Sequence, residues 1–159
     1  MRDKILTSIS TFGFLGYSRF MPGTLGAFLG TAFSYFLFGN YSRLMILAVS
    51  IGLIIFAVYV CSVAERVIGC RDPSCVILDE FVAMPVCFLF LRRRNAAVFL
   101  LGFLIFRAFD ILKPLGIKFF EKFRGGLGIV LDDIMAACYT NITLHTLSYL
   151  VRNCVKTNL

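Results

Sequence analysis

Residues 76–91 read VILDEFVAMPVCFLFL, an apolar stretch that carries two adjacent carboxylates, Asp79 and Glu80, near its head. An unpaired carboxylate taken out of water must be neutralised, paired or bound to a cation, because its desolvation is otherwise uncompensated. A second acidic pair, Asp132-Asp133, follows the glycine-rich turn Gly125-Gly126-Leu127-Gly128. Between the pairs lies Arg107-x-x-Asp110-x-x-Lys113-Pro114, whose spacing of three keeps its charged groups on neighbouring positions of one helical face. Five of the nine acidic residues thus fall in three short places. Hard oxygen ligands gathered from several segments suit Mg²⁺, which keeps waters and shares substrate phosphate. Arg107 offers a planar fork for phosphate oxygens and Lys113 a point charge. Together they describe metal-assisted hydrolysis of a phosphate ester.

On a helix, neighbours diverge by about 100°, so Asp79 and Glu80 are expected to point apart, one toward a cation and one toward a ligand or second cation. Asp132 and Asp133 are expected to do the same. Met21-Pro22-Gly23-Thr24 opens an apolar run, with proline at a good helix start and the Thr24 hydroxyl a further candidate for the pocket. Gly126 and Gly128 would allow close backbone approach at a helix start. The bland reading of the charges is a set of ion pairs among Arg107, Lys113 and the acids.

Other templates fail. Cys87 and Arg93 have C-x5-R spacing, but the residues between them are FLFLR and lack the glycines of a phosphate cradle. His145 is the only histidine, read as a core residue, so neither a two-histidine phosphatase nor a Ser-His-Asp triad can be assembled. No D-x-D-G-T motif supports an aspartyl-phosphate route, which favours water over a carboxylate as nucleophile. The six cysteines form no C-x-x-C pair and read as small reduced hydrophobes.

The elements that must position these groups are apolar helices. The chain of 159 residues is 59% hydrophobic and 16% charged, with mean hydropathy +0.87. Soluble domains average about 45–50% apolar and about 25% charged. The excess predicts an all-α membrane protein, a compact bundle in one domain over residues 1–159. Candidate spans are Phe20–Tyr41, Leu44–Ala64, Asn95–Leu112 and Ile134–Val151; Val76–Leu91 is short and fits a tilted span, a half-span or a core helix. Lys118–Arg124 (KFFEKFR) reads as an interfacial helix. No removable signal peptide is read at the N-terminus. The net charge of +7 lies in the gaps between apolar runs, which favours anionic lipid over nucleic acid as partner. With a cytoplasmic N-terminus, Arg66, Arg71, Lys113, Lys118, Lys122 and Arg124 fall inside, whereas Arg92-Arg93-Arg94 fall outside against the positive-inside rule. All the candidate acids then share one depth, the cytoplasmic ends of their helices.

MPGT, DPSCVILDEFVAM, FRAFDILKP and GGLGIVLDD resemble, in order and spacing, the signatures of the phosphatidylglycerophosphatase A family. The likeness runs from about Gly13 to Ala137, with departures at Arg19, Ala83, Val130 and Ala137 that leave the polar set complete. It implies removal of the terminal phosphate of phosphatidylglycerophosphate to give phosphatidylglycerol, dependence on Mg²⁺, and residence in the bacterial inner membrane. By motif position it points to Asp72, Asp79, Glu80, Arg107, Asp110, Lys113, Asp132 and Asp133. The expected division has Asp79, Glu80, Asp110, Asp132 and Asp133 catalytic, with Asp79, Glu80, Asp132 and Asp133 on metal. Arg107, Lys113, Thr24, Gly126 and Gly128 are expected on substrate phosphate, with Asp72 in support. Two competitors come from other classes: an ion-coupled transporter, since intramembrane charges are equally its signature, and a structural subunit held by internal ion pairs.

Overall fold

The structure, a computed structural model, describes residues 1–91, 95–114, 116–117 and 123–157. The expected interfacial helix at Lys118–Arg124 falls largely outside these residues, and Arg92–Arg94 fall outside them altogether. The described chain is all-helical: α1 (Arg2–Ser10), a 3-10 turn (Leu15–Tyr17), α2 (Pro22–Asn40), α3 (Arg43–Ile68), α4 (Leu78–Cys87), α5 (Ala96–Leu112) and α6 (Gly126–Thr157). Local chemistry sets the ends. Pro22 opens α2 with a ring whose fixed φ suits the first turn. Ser42 caps α3 by accepting from the Met45 amide, and Asn95 caps α5 by accepting from the Val98 amide at 3.0 Å. Lys113, with φ +44, closes α5 in the left-handed region, and Pro114 cannot continue it.

α4 is the centre of the bundle, packed by α2, α3 and α6 with smaller contacts from α5 and α1. Val82, Ala83, Met84 and Cys87 are fully buried. Of the three possibilities for this segment the structure shows the core helix: ten residues rise only about 15 Å, half a bilayer core. Its C-terminal carbonyls, which a helix leaves without internal partners, are met from α6. Asn141 Nδ2 donates to the carbonyls of Cys87 and Leu89 at 3.0 and 2.9 Å, and His145 Nε2 lies 3.1 Å from the Leu89 carbonyl. His145 is otherwise exposed, so it is not the core residue expected; it reaches inward from the surface of α6 to this capping contact. Beyond it, Phe88 stacks on Phe99 with centroids 4.3 Å apart, and Phe38 meets both rings.

Among the described residues, α3 and α6 are long and apolar enough to cross a membrane. Only 28% of the most apolar part of α3 is buried, whereas the core helix of a soluble protein would be covered on most sides. Leu44, Ile51, Ile55 and Tyr59 are left exposed on it. α5, at 17 residues, is about one turn short of a full span, and α2, at 19, is diluted by glycine, serine and threonine. Cys61 and Cys87 are buried as expected of small hydrophobes, but Cys70 and Cys154 are exposed; all six are free thiols.

α2 approaches α4 closely because it presents glycine there. A Cβ on Gly30 would lie 2.5 Å from the Phe81 carbonyl oxygen and 2.9 Å from Met84 Cγ. In Gly30→Ala the gain in helix propensity, about 1 kcal/mol, opposes an overpacking cost of about 1–3 kcal/mol against an immovable backbone. Thermal unfolding in detergent should therefore show a lower midpoint for Gly30→Ala; an unchanged or higher midpoint would contradict this contact.

Candidate active site

The packing around α4 brings the polar motifs to one place. The first turn of α4 supplies Asp79 and Glu80, and the C-terminal half of α5 supplies Arg107 and Asp110, followed by its cap Lys113. The second turn of α6 supplies Asp132 and Asp133, the α3–α4 loop Asp72, and the start of α2 Met21, Pro22 and Gly23. These residues line a cleft of about 300 Å³, together with Pro73, Ser74 and Val76. Ser74 and Gly23 had a sequence signal, since both stand inside the DPS and MPGT motifs, but their place on the wall was not readable from spacing. Met21, Asp72 and Lys113 share positive φ values of 41°, 46° and 44°. Left-handed backbone is costly for residues with a Cβ and is held only where surrounding structure over-determines it.

The acids divide into two roles. Arg107 pairs with Asp110 one turn along α5, and Lys113 Nζ lies 2.6 Å from Asp132 Oδ2. Neither pair involves Asp79, Glu80 or Asp133. One carboxylate oxygen from each of these three lies within 4.8 Å of the others. Opposite ligands of a bound divalent cation stand about 4–5 Å apart, twice a metal–oxygen bond. Asp132 and Asp133 diverge as helical neighbours should. Asp79 and Glu80 do not: the extra methylene of Glu80 lets its carboxylate swing back beside Asp79. Gly23 makes the room, since a Cβ there would lie 2.0 Å from Glu80 Oε1. Asp132, expected on metal, gives Oδ2 to Lys113 and keeps Oδ1 without a partner among the described residues.

The buried oxygens Asp79 Oδ1, Glu80 Oε2 and Asp132 Oδ1 have no hydrogen-bond partner among the described residues. Buried polar atoms are nearly always satisfied, so these mark places where a ligand belongs. α4 is too short to cross a membrane, and burial pushes the Asp79 carboxyl well above the ordinary carboxylate range; the charges of Glu80 and Asp133 push the same way. Burial likewise raises Glu80.

Thr24, Gly126 and Gly128 do not line the cleft. The Thr24 hydroxyl is buried without a partner just behind Gly23. Gly126 serves packing: its N–H donates to Ser62 Oγ at 2.7 Å, and a Cβ would lie 2.0 Å from the Val58 carbonyl oxygen of α3. Gly128 is buried in the first turn of α6.

The raised Asp79 carboxyl has a consequence for stability without metal. The folded state holds its proton to higher pH than the unfolded chain, so stability falls as pH rises through the unfolded and then the folded value. In the presence of chelator, Asp79→Asn should raise the thermal midpoint at pH 8 by several degrees, and the gain should shrink toward pH 5. A lower midpoint for the variant at pH 8 would contradict the repulsion.

The phosphatidylglycerophosphatase A family model matches residues 8–148. A Haemophilus influenzae phosphatidylglycerophosphatase A is 34% identical over 135 residues, 80% of this chain and 79% of the relative. The Escherichia coli phosphatidylglycerophosphatase A is 34% identical over 126 residues, 76% and 70% of the two chains. A Bacteroides thetaiotaomicron protein, provisionally named a phosphatidylinositol-3-phosphatase, is 35% identical over 135 residues, 81% and 84% of the two chains. No solved structure matches the chain. With the family model spanning most of its length and three relatives at this identity, the chain belongs to the phosphatidylglycerophosphatase A family and is a phosphatase.

Proposed function

We propose that the protein hydrolyses the terminal phosphate of phosphatidylglycerophosphate, giving phosphatidylglycerol, and that it requires Mg²⁺ to do so. The observation that carries this reading is the Asp79–Glu80–Asp133 oxygen cluster beside Arg107 and Lys113 in a single cleft. Among the described residues, six carboxylates line that cleft against two basic groups, a formal charge of −4. A phosphate dianion entering it unaided would be repelled, since one pair of like charges 4 Å apart costs about 4 kcal/mol at an effective dielectric of 20. A bound divalent cation would cut that charge to −2 and set a positive centre where the phosphate oxygens arrive.

The unpartnered buried oxygens fit that group, and Asp79, Glu80 and Asp133 are the residues that would hold it. When bound, Mg²⁺ supplies neutralisation of phosphoryl oxygens and a lowered pKa for water. Arg107, kept in place by Asp110, and Lys113, kept in place by Asp132, grip the phosphate and stabilise charge on its equatorial oxygens. Asp132 Oδ1, buried and unpartnered, takes the proton of the attacking water and returns it to the glycerol oxygen as its bond to phosphorus breaks. Asp72 and Ser74 close the wall from the α3–α4 loop.

The same reading sets the protein in the bacterial inner membrane as a multi-pass protein. α3 and α6 cross it, α5 packs on α6, and α2 packs on α4 and α5, with Phe28, Phe36, Leu100 and Leu104 exposed. Arg66, Arg71, Lys113 and Arg124 gather at the end that holds the acids, which suits a cytoplasmic face. The charges sit at helix ends, not mid-bilayer, which disfavours the transporter reading.

The test is phosphate release in detergent from phosphatidylglycerophosphate and from phosphatidylinositol-3-phosphate, the latter because of the Bacteroides relative's name. Wild type should turn over the first substrate faster, only with Mg²⁺. Folded Asp133→Asn should lose about 10²-fold or more. Equal turnover by that variant would remove the acid trio from the reaction, and preference for the inositol lipid would overturn the substrate.

A further inference from the structure

The α3–α4 loop walls two cavities. Asp72 faces the acidic cleft, whereas its neighbour Arg71 lines a second cavity of about 490 Å³ at the end of α3. Ser62, Glu65, Arg66, Cys70 and Arg124 complete that wall where the chain turns into α6. Among the described residues, three guanidinium groups and one carboxylate give it a net charge of +2, beside a cleft of −4. Arg66 Nε donates to the Ser62 carbonyl at 3.3 Å, which fixes the base of its side chain and uses one of its five donors. Gly126 N–H on Ser62 Oγ ties the opposite wall to α3.

None of these arginines has a part in the proposed reaction. Cations serving only solubility are spread over open surface, where repulsion is least; here three are gathered around a concavity large enough for a phosphate group. Guanidinium forks match phosphate oxygens in geometry as well as charge. The cavity also lies at the end of a helix long enough to span, which is headgroup depth, where basic clusters meet anionic lipid.

We propose that this cavity is a second, non-catalytic site for a phosphate-bearing anion, either a phosphodiester lipid headgroup or free phosphate. It stands on the arginine cavity alone and survives if the reaction proposed above fails.

Cys70 gives a direct reading, because it lines this cavity, is exposed and is absent from the acidic cleft. The protein carrying Cys154→Ser, which removes the other exposed thiol, is placed in phosphatidylcholine nanodiscs. Alkylation of Cys70 by uncharged N-ethylmaleimide is followed by peptide mass spectrometry. One arm adds phosphatidylglycerol to the discs and another adds millimolar inorganic phosphate. The expected result is several-fold slower alkylation with phosphatidylglycerol, abolished in Arg66→Gln/Arg124→Gln; both arginines are exposed, so the variant should fold. Slowing by inorganic phosphate alone, lost in the same variant, supports the site and names free phosphate as its ligand. No slowing in either arm, or slowing that persists without the two arginines, overturns the proposal.

Discussion

The constraint on which this structure turns is mutual repulsion among carboxylates held out of water. Asp79, Asp132 and Asp133 are buried, and Glu80 stands with them. In a folded chain such a group is tolerated only with compensation. Two acids have it within the protein, through Arg107 and Lys113. The other three are assembled from α4 and α6 outside those two pairs, with only Glu80 feeling the Arg107 charge. Stability alone would select against that arrangement, so the cost marks a place where binding recovers it.

Much of the fold serves to hold that assembly. α4 is short, and neither its length nor its propensity would keep it helical in isolation. It is enclosed instead. Gly26 and Gly30 bring α2 against its Ile77 and Phe81 carbonyls, α3 and α6 cover its other faces, and Asn141 receives its last carbonyls. Both acidic pairs thereby sit on packed helices and not on loops, so their separation is set by helix packing. The left-handed residues Met21, Asp72 and Lys113 place the connecting backbone around the same opening. The neighbouring arginine cavity gives this end of the molecule two adjoining fields of opposite sign.

The helices and the polar set were legible in the sequence because both are periodic or compositional signals. Apolar runs located α2, α3 and α5 within a few residues, and the charge motifs named the cleft. What could not be read were facts of packing. His145 read as a core residue and Asn141 as no more than polar dilution of a span; only the position of α4 shows them at its C-terminus. Gly126 looked like a phosphate loop, but its missing side chain lets α6 approach α3. The convergence of Asp79 and Glu80 depends on a side-chain rotamer and on the space left by Gly23 in another helix. Spacing along one helix predicted divergence because it contains no information about α2.

The central claim is that the Asp79–Glu80–Asp133 cluster holds a divalent cation. Electron paramagnetic resonance of Mn²⁺, used as a spectroscopic substitute for Mg²⁺, tests it without relying on turnover. Titrated into detergent-solubilised protein, wild type should show saturable binding that Mg²⁺ displaces, and Glu80→Gln should lose it while keeping its helical circular dichroism. Binding of equal affinity and stoichiometry in the variant would contradict the account and return the acids to a structural role.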